Sequence, residues 1–194
     1  MTEIFGLDSR VLYTALIVLV IVERLAELRI SNRNTRLLKS QGGIEVGADH
    51  YPTMVMMHTL FLISAPLEVW FLARPFILPL ALLMLVLLGA AMALRYWVIG
   101  TLGGRWTTRV ICLPGAPLIA TGPYKFIRHP NYFAVVTETL SLPMVHTAWM
   151  TAAAFSLANA LVLRKRIRVE NKVLQRYGAV FEDSSRPDGG DEPT

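Results

Sequence analysis

The sequence predicts an all-α, polytopic integral membrane protein of five transmembrane helices, the last two forming a helical hairpin. Three observations carry that expectation. The 194 residues are 54% hydrophobic and 17% charged, with a mean hydropathy of +0.46, too apolar for an ordinary soluble domain. The apolar residues gather into runs close to the roughly 20 residues that a helix needs to cross the hydrocarbon core. The basic residues behind the formal charge of +5 collect beside those runs. In a soluble chain that charge would raise nucleic acid as a partner. Flanking apolar runs, it marks a cytoplasmic membrane face instead, and no nucleic-acid partner is expected.

The first span is residues 11–30. Glu3 and Asp8 precede Arg10, so there is no basic leader, and no small-residue cleavage site follows the run. It reads as a retained span. Glu23, Arg24 and Glu27 lie in its second half, with Arg24 and Glu27 neighbours at i, i+3. Charges there face the bundle or the water interface rather than lipid, as an internal ion pair or as the lining of a site. Residues 29–50 read as a polar connection broken at Gly42-Gly43. A second span, residues 51–72, opens on Tyr51-Pro52 and closes before the Arg74-Pro75 break. The third, residues 76–98, ends at Arg95, Tyr96 and Trp97, which read as interfacial anchors. Residues 100–131 form a connection rich in Gly, Pro and basic residues, long enough to suggest function.

Residues 132–163 are too long for one ordinary span. A split at 143–148 gives spans at 132–145 and 148–163. Charge supports that split. Five spans put every basic segment on the cytoplasmic side with the N-terminus outside; four would put Arg164, Lys165, Arg166 and Arg168 on the other side. The organisation is one domain over residues 1–181, followed by a tail, residues 182–194, whose composition reads as disordered.

Chemistry concentrates before the fourth span, in Thr121-Gly122-Pro123-Tyr124-Lys125-Phe126-Ile127-Arg128-His129-Pro130-Asn131-Tyr132. Gly-Pro makes a turn, and Pro130 holds His129 out of the helical region while suiting the first turn of a helix itself. Arg128 and His129 are thereby set at a helix mouth, where backbone amides favour an anionic group. Tyr124 and Tyr132 offer aromatic faces that attract an onium cation. After the fifth span, Arg166 and Glu170 share a helix face at i, i+4. Arginine suits a carboxylate by bidentate pairing, and glutamate suits ribose hydroxyls or an amino group. A solvated helix pair and topology-setting charges are the plainer readings of the same residues. Cys112, the single cysteine, reads as a buried inert thiol. No Gly-x-Gly-x-x-Gly and no metal-ligand cluster is present; His50, His58, His129 and His146 are scattered. Inside the second span His58 reads as a packed, hydrogen-bonded side chain, with a catalytic base as the other reading.

Gly122-Pro123-Tyr124, Arg128-His129-Pro130-Asn131-Tyr132 and the later Arg166-x-x-x-Glu170 together resemble the isoprenylcysteine carboxyl methyltransferase family, close to the membrane phospholipid methyltransferases. The likeness covers about residues 102–178. It implies S-adenosylmethionine (SAM) in a cytoplasm-facing pocket, and a lipophilic or lipidated substrate that comes laterally out of the membrane lipids. By position, Pro117, Leu118, Ile119, Tyr124, His129, Pro130, Asn131, Tyr132 and Glu170 would hold the cofactor, and Arg166 would orient a substrate carboxylate; Arg166 and Glu170 would be the catalytic residues. Asn171 stands where the family usually has a second acid, and the approach segment lacks the family's His-x-Leu-Val.

Farther upstream, Gln41-Gly42-Gly43-Ile44-Glu45-Val46-Gly47, His50-Tyr51-Pro52 and Arg105-Trp106-Thr107-Thr108 resemble a bacterial subgroup that accompanies type III polyketide synthases. That likeness implies a bacterial inner membrane and O-methylation of long-chain alkylresorcinols or alkylpyrones, beside a prenylcysteine-like carboxylate. A carboxylate acceptor is already ionised and needs alignment; a phenol or enol needs its proton removed, with Glu170 or His58 as candidates. The other readings are a phospholipid N-methyltransferase and a non-catalytic small membrane protein.

Overall fold

In the computed structural model, residues 3–4, 6–48 and 51–184 are described. Five helices carry them: α1 (Ser9–Ser40), α2 (Tyr51–Phe71), α3 (Leu78–Leu102), α4 (Pro130–Met144) and α5 (Trp149–Ser184). Two small antiparallel ribbons are added, β1 (Glu3–Ile4) with β2 (Leu7–Asp8), and β3 (Ile44–Glu45) with β4 (Ile111–Cys112).

Each helix start has a local cause. Asp8 caps α1 by accepting from the Arg10 amide at 2.9 Å. Prolines open α3 and α4. The first amides of α5 are met from another helix: Glu68 of α2 accepts from the amides of Met150 at 3.1 Å and Thr151 at 2.6 Å. Arg74 closes that corner, 2.8 Å from Glu68 and with its guanidinium over the Trp149 ring. The expected hairpin turn is present between Met144 and Trp149, with Thr147 at φ 53°.

Three helices outrun their expected spans, α3 by only four residues, to Leu102. The polar connection expected from residue 29 is helical as far as Ser40. The hydropathy change at Ile30 marks where apolar surface ends, and nothing stops the helix until Gln41-Gly42-Gly43. Likewise α5 continues through Ser184, so residues 182–184, expected in a disordered tail, are helical. Residues 185–194 of that tail, and His50, lie outside the described residues.

Of the described helices, α2 and α3 are long and apolar enough to cross a membrane. Only 22% of each apolar stretch is buried, so Leu60, Leu82, Leu83 and Val86 point outward, as lipid-facing residues do. α4 has 15 residues and rises only about 22 Å.

The helices alternate in direction, and this separates packing from chemistry. Tyr13, Ile17 and Val20 of α1 meet Phe61, Ala65 and Val69 of α2, Ala81 and Leu88 of α3 and Leu142 of α4 in one buried cluster. That end is closed. The opposite end collects the last turns of α1 and α3, the middle of α5 and the first turns of α2 and α4. The long connection is tied down there: Asn34 donates to the carbonyls of Gly103 (3.0 Å) and Trp106 (2.8 Å), and Ser31 meets Thr108 at 2.8 Å.

Candidate active site

The mouth of α4 is built on glycine and proline geometry. Gly122 has φ +59°, and a Cβ there would lie 2.4 Å from Oγ1 of Thr101. Only glycine lets the Thr121–Lys125 turn lie against the end of α3. His129 then occupies the N-cap of α4, and Pro130 is buried in the first turn. The His129 and Tyr132 rings stack with centroids 5.3 Å apart.

From α5, Glu170 accepts a hydrogen bond from the Tyr132 hydroxyl at 2.5 Å, and the same carboxylate oxygen lies 3.8 Å from Nδ1 of His129. Nε of Arg166 donates to that hydroxyl at 3.1 Å. Among the described residues, Arg166 and Glu170 therefore meet through Tyr132 rather than in a direct ion pair. Burial, with Glu170 adding to it, pushes the Tyr124 phenol up to about 12, so its hydroxyl stays protonated.

Behind this cluster lies a cavity of about 460 Å³. Asn131, Tyr132 and Arg166 form its upper wall. Leu25, Val55, Thr59 and Ile63, all exposed, form a side wall between α1 and α2, so the cavity opens at the flank of the bundle. Met54 of α2 touches Arg166, with its sulfur 2.9 Å from the guanidinium. Below them lie His58, Glu138 and Asn159.

The cavity floor is ionic. Glu138 accepts from Arg95 at 2.5 Å and from Arg24 at 2.9 Å. Glu27 pairs with Arg24 and lies 3.7 Å from Arg95. Both readings of Arg24 and Glu27 hold, since they are an internal ion pair and also line the cavity. Arg95 departs from expectation. It is buried against two carboxylates and anchors no interface, whereas Tyr96 and Trp97 are exposed. Glu138 did not stand out in the sequence. Its one available signal was a carboxylate inside an otherwise apolar run.

A strap lies beside Met54 and Arg166 at this end of the bundle. Strand β3 pairs with β4, and a Cβ at Gly43 would lie 2.6 Å from the Leu38 carbonyl, so the strap leaves α1 at close quarters. Lys39 and Arg109 each hold Glu45 at 2.5 Å, and Lys39, with Arg109 adding to it, keeps the Glu45 carboxyl below the usual carboxylate range. The Arg109 guanidinium sits 4.0 Å from the Tyr51 ring centroid. Cys112 lies half-buried in β4, where burial raises its thiol, in keeping with an inert residue.

The approach segment stands apart from this cluster. The Pro117 carbonyl accepts from Arg105 at 2.6 Å, Leu118 is exposed, and Ile119 is half-buried; none of the three lines the cavity. Arg128 is exposed at the surface.

A family profile described as the isoprenylcysteine carboxyl methyltransferase (ICMT) family matches residues 81–176, from within α3 to within α5. The chain is 38% identical over 167 residues to YpbQ of Bacillus subtilis (strain 168), covering 86% of this chain and 98% of that protein. It is 28% identical over 152 residues to a protein of Haemophilus influenzae, covering 78% of this chain and 88% of that one. A nickel-cobalt-cadmium resistance protein, NccN, of Alcaligenes xylosoxydans xylosoxydans is 33% identical over 108 residues, 55% of this chain and 47% of its own length.

Proposed function

Because the chain belongs to the isoprenylcysteine carboxyl methyltransferase family, we propose that it is a SAM-dependent O-methyltransferase whose acceptor is a lipophilic molecule drawn from the bilayer. The observation that carries this reading is a single shared wall. Asn131 and Tyr132, from the motif that implies the cofactor, and Arg166, from the motif that implies the acceptor, border the same side-opening cavity.

The residues present fit the cofactor. Asn131 has a buried side-chain oxygen with no hydrogen-bond partner, positioned to accept from a bound donor. Glu170 uses one oxygen on Tyr132 and is a third exposed, leaving acceptor capacity for ribose hydroxyls or an ammonium. His129 and Tyr124 complete that shell. When bound, SAM supplies an electrophilic methyl group on a sulfonium. Arg166 holds the acceptor's anionic oxygen at the cavity's upper wall, and the apolar side wall receives the hydrocarbon tail. Each methylene so buried contributes about 0.8 kcal/mol, so activity falls steeply as the tail shortens. The acceptor is a prenylcysteine-like carboxylate or the hydroxyl of a long-chain alkylresorcinol or alkylpyrone. An oxygen acceptor is favoured over the amine of a phospholipid because Arg166 attracts an anionic oxygen and repels an ammonium.

Calorimetric titration of the purified protein with SAM tests the reading against a non-catalytic membrane protein, which would give no heat of binding. In the same titration Arg166→Lys keeps the parent's SAM affinity, while turnover falls about tenfold or more, because a lysine cannot reproduce the planar fork. Loss of cofactor binding with turnover per bound cofactor unchanged would move Arg166 into the cofactor shell.

The membrane arrangement belongs to the same proposal: five spans in a bacterial inner membrane, N-terminus outside, cofactor site facing the cytoplasm. Clustering of basic residues at the open end of the bundle supports it. Reporter fusions after Arg36, Arg105 and Lys172 should all report cytoplasm. An external report at Lys172 would contradict it.

A further inference from the structure

The geometry points to His58 as the proton acceptor for a hydroxyl-bearing acceptor, a phenol or an enol, held in the cavity. This rests on the methyl-transfer reading above and goes beyond it by assigning the base. Nδ1 of His58 lies 2.8 Å from the carbonyl of Met54, one turn earlier on α2. A carbonyl only accepts, so Nδ1 carries the proton and Nε2 carries the lone pair. Nε2 makes no hydrogen bond among the described residues, and the ring lines the cavity. Met54 is also the residue whose sulfur meets Arg166, so the imidazole, one helical turn farther along α2, lines the same cavity as the acceptor-holding arginine.

The other candidate bases are occupied or out of reach. Glu170 is bonded to Tyr132 and lies outside the cavity wall. Both oxygens of Glu138 are taken by Arg24 and Arg95. Glu27 is committed to Arg24 and lies 3.7 Å from Arg95. A carboxylate acceptor, already ionised at neutral pH, gains nothing from a base. A free imidazole lone pair serves an acceptor that arrives protonated. In the step, the hydroxyl oxygen bonds to the methyl carbon as the carbon–sulfur bond of SAM breaks. Sulfur keeps that electron pair as the neutral thioether, and the hydroxyl proton passes to Nε2. The charged groups around the resulting imidazolium are Glu138 on α4, Arg95 on α3, Arg24 and Glu27 on α1 and Arg166 on α5; Glu138 stabilises it, while Arg95 and Arg24 oppose it.

The test uses the purified protein in lipid nanodiscs, His58→Gln, and two acceptors, pentadecylphenol and N-acetyl-S-farnesylcysteine. Glutamine can still donate to the Met54 carbonyl but cannot take up a proton at neutral pH. The expected result is a loss of about 100-fold or more in kcat with the phenol. SAM affinity stays at the parent value, any turnover of the carboxylate falls at least tenfold less than that of the phenol, and the acid limb of the phenol's pH–rate profile disappears. A readout without turnover guards against a folding defect: a nitro derivative of the alkylphenol, bound near neutral pH without SAM, shows more phenolate absorbance in the parent than in the variant. Equal losses on both acceptors, full phenol turnover in the variant, or a parent that methylates only the carboxylate would overturn the assignment while leaving the methyl-transfer reading intact. A parent that binds no SAM and methylates neither acceptor overturns both.

Discussion

Glu138→Ala is expected to lower stability by about 3–5 kcal/mol, because it strips one partner from a buried charge network. The carboxylate is the shared acceptor of Arg95 and Arg24. Without it, Arg24 keeps Glu27, and Arg95 keeps only the 3.7 Å contact to that same carboxylate. Nε of Arg95 has no hydrogen-bond partner to begin with, so the guanidinium has little left to satisfy it. Thermal unfolding in mild detergent checks this. Parent-like stability would mean that the guanidinium groups reach water through the cavity. Replacing Glu138, Arg95, Arg24 and Glu27 together with leucine should cost far less than the single change, since it leaves no member of the network unpaired and a well-packed apolar substitute is often neutral.

Glu170→Ala is expected to weaken SAM binding by one to two decades without unfolding the protein, since a lost hydrogen bond to a charged group is worth roughly 1.5–3 kcal/mol. His129→Ala should fall in the same range. Both side chains converge on Tyr132, one by a 2.5 Å hydrogen bond and the other by ring stacking. Tyr132→Phe separates the contributions. It keeps the stack and frees Glu170, so a loss smaller than that of Glu170→Ala assigns the carboxylate a direct contact with the cofactor. Calorimetry or ligand-induced thermal stabilisation reads all three. Unchanged affinity in both alanine variants would detach the motif from the cofactor.

What was legible in the sequence is what depends on local geometry. Pro130 after His129, and Arg166 four residues before Glu170, fix backbone shape and helix face from adjacent residues alone, and the structure brings these side chains together around Tyr132. The turn after Met144 was legible on other grounds, the length of the apolar run and the charge balance that asks for a fifth span. Helix ends were less so. Hydropathy reports where a helix leaves an apolar environment, and α1 runs ten residues past that point before a glycine pair stops it. Of the cavity floor only the Arg24–Glu27 pair was legible. Glu138 meets Arg95 and Arg24 across three helices, 43 and 114 residues apart in sequence, and no spacing rule links them. Nor could the sequence show that Arg166 and Glu170 share a tyrosine instead of pairing with each other.

Transfer of isotopically labelled methyl from SAM by the purified protein in lipid nanodiscs tests the central claim most directly. The acceptors offered together are a prenylcysteine analogue, a long-chain alkylphenol, an alkylpyrone and phosphatidylethanolamine, with products resolved by mass. The account predicts label on an oxygen of one of the first three and none on the phospholipid amine. Label on phosphatidylethanolamine alone would contradict it.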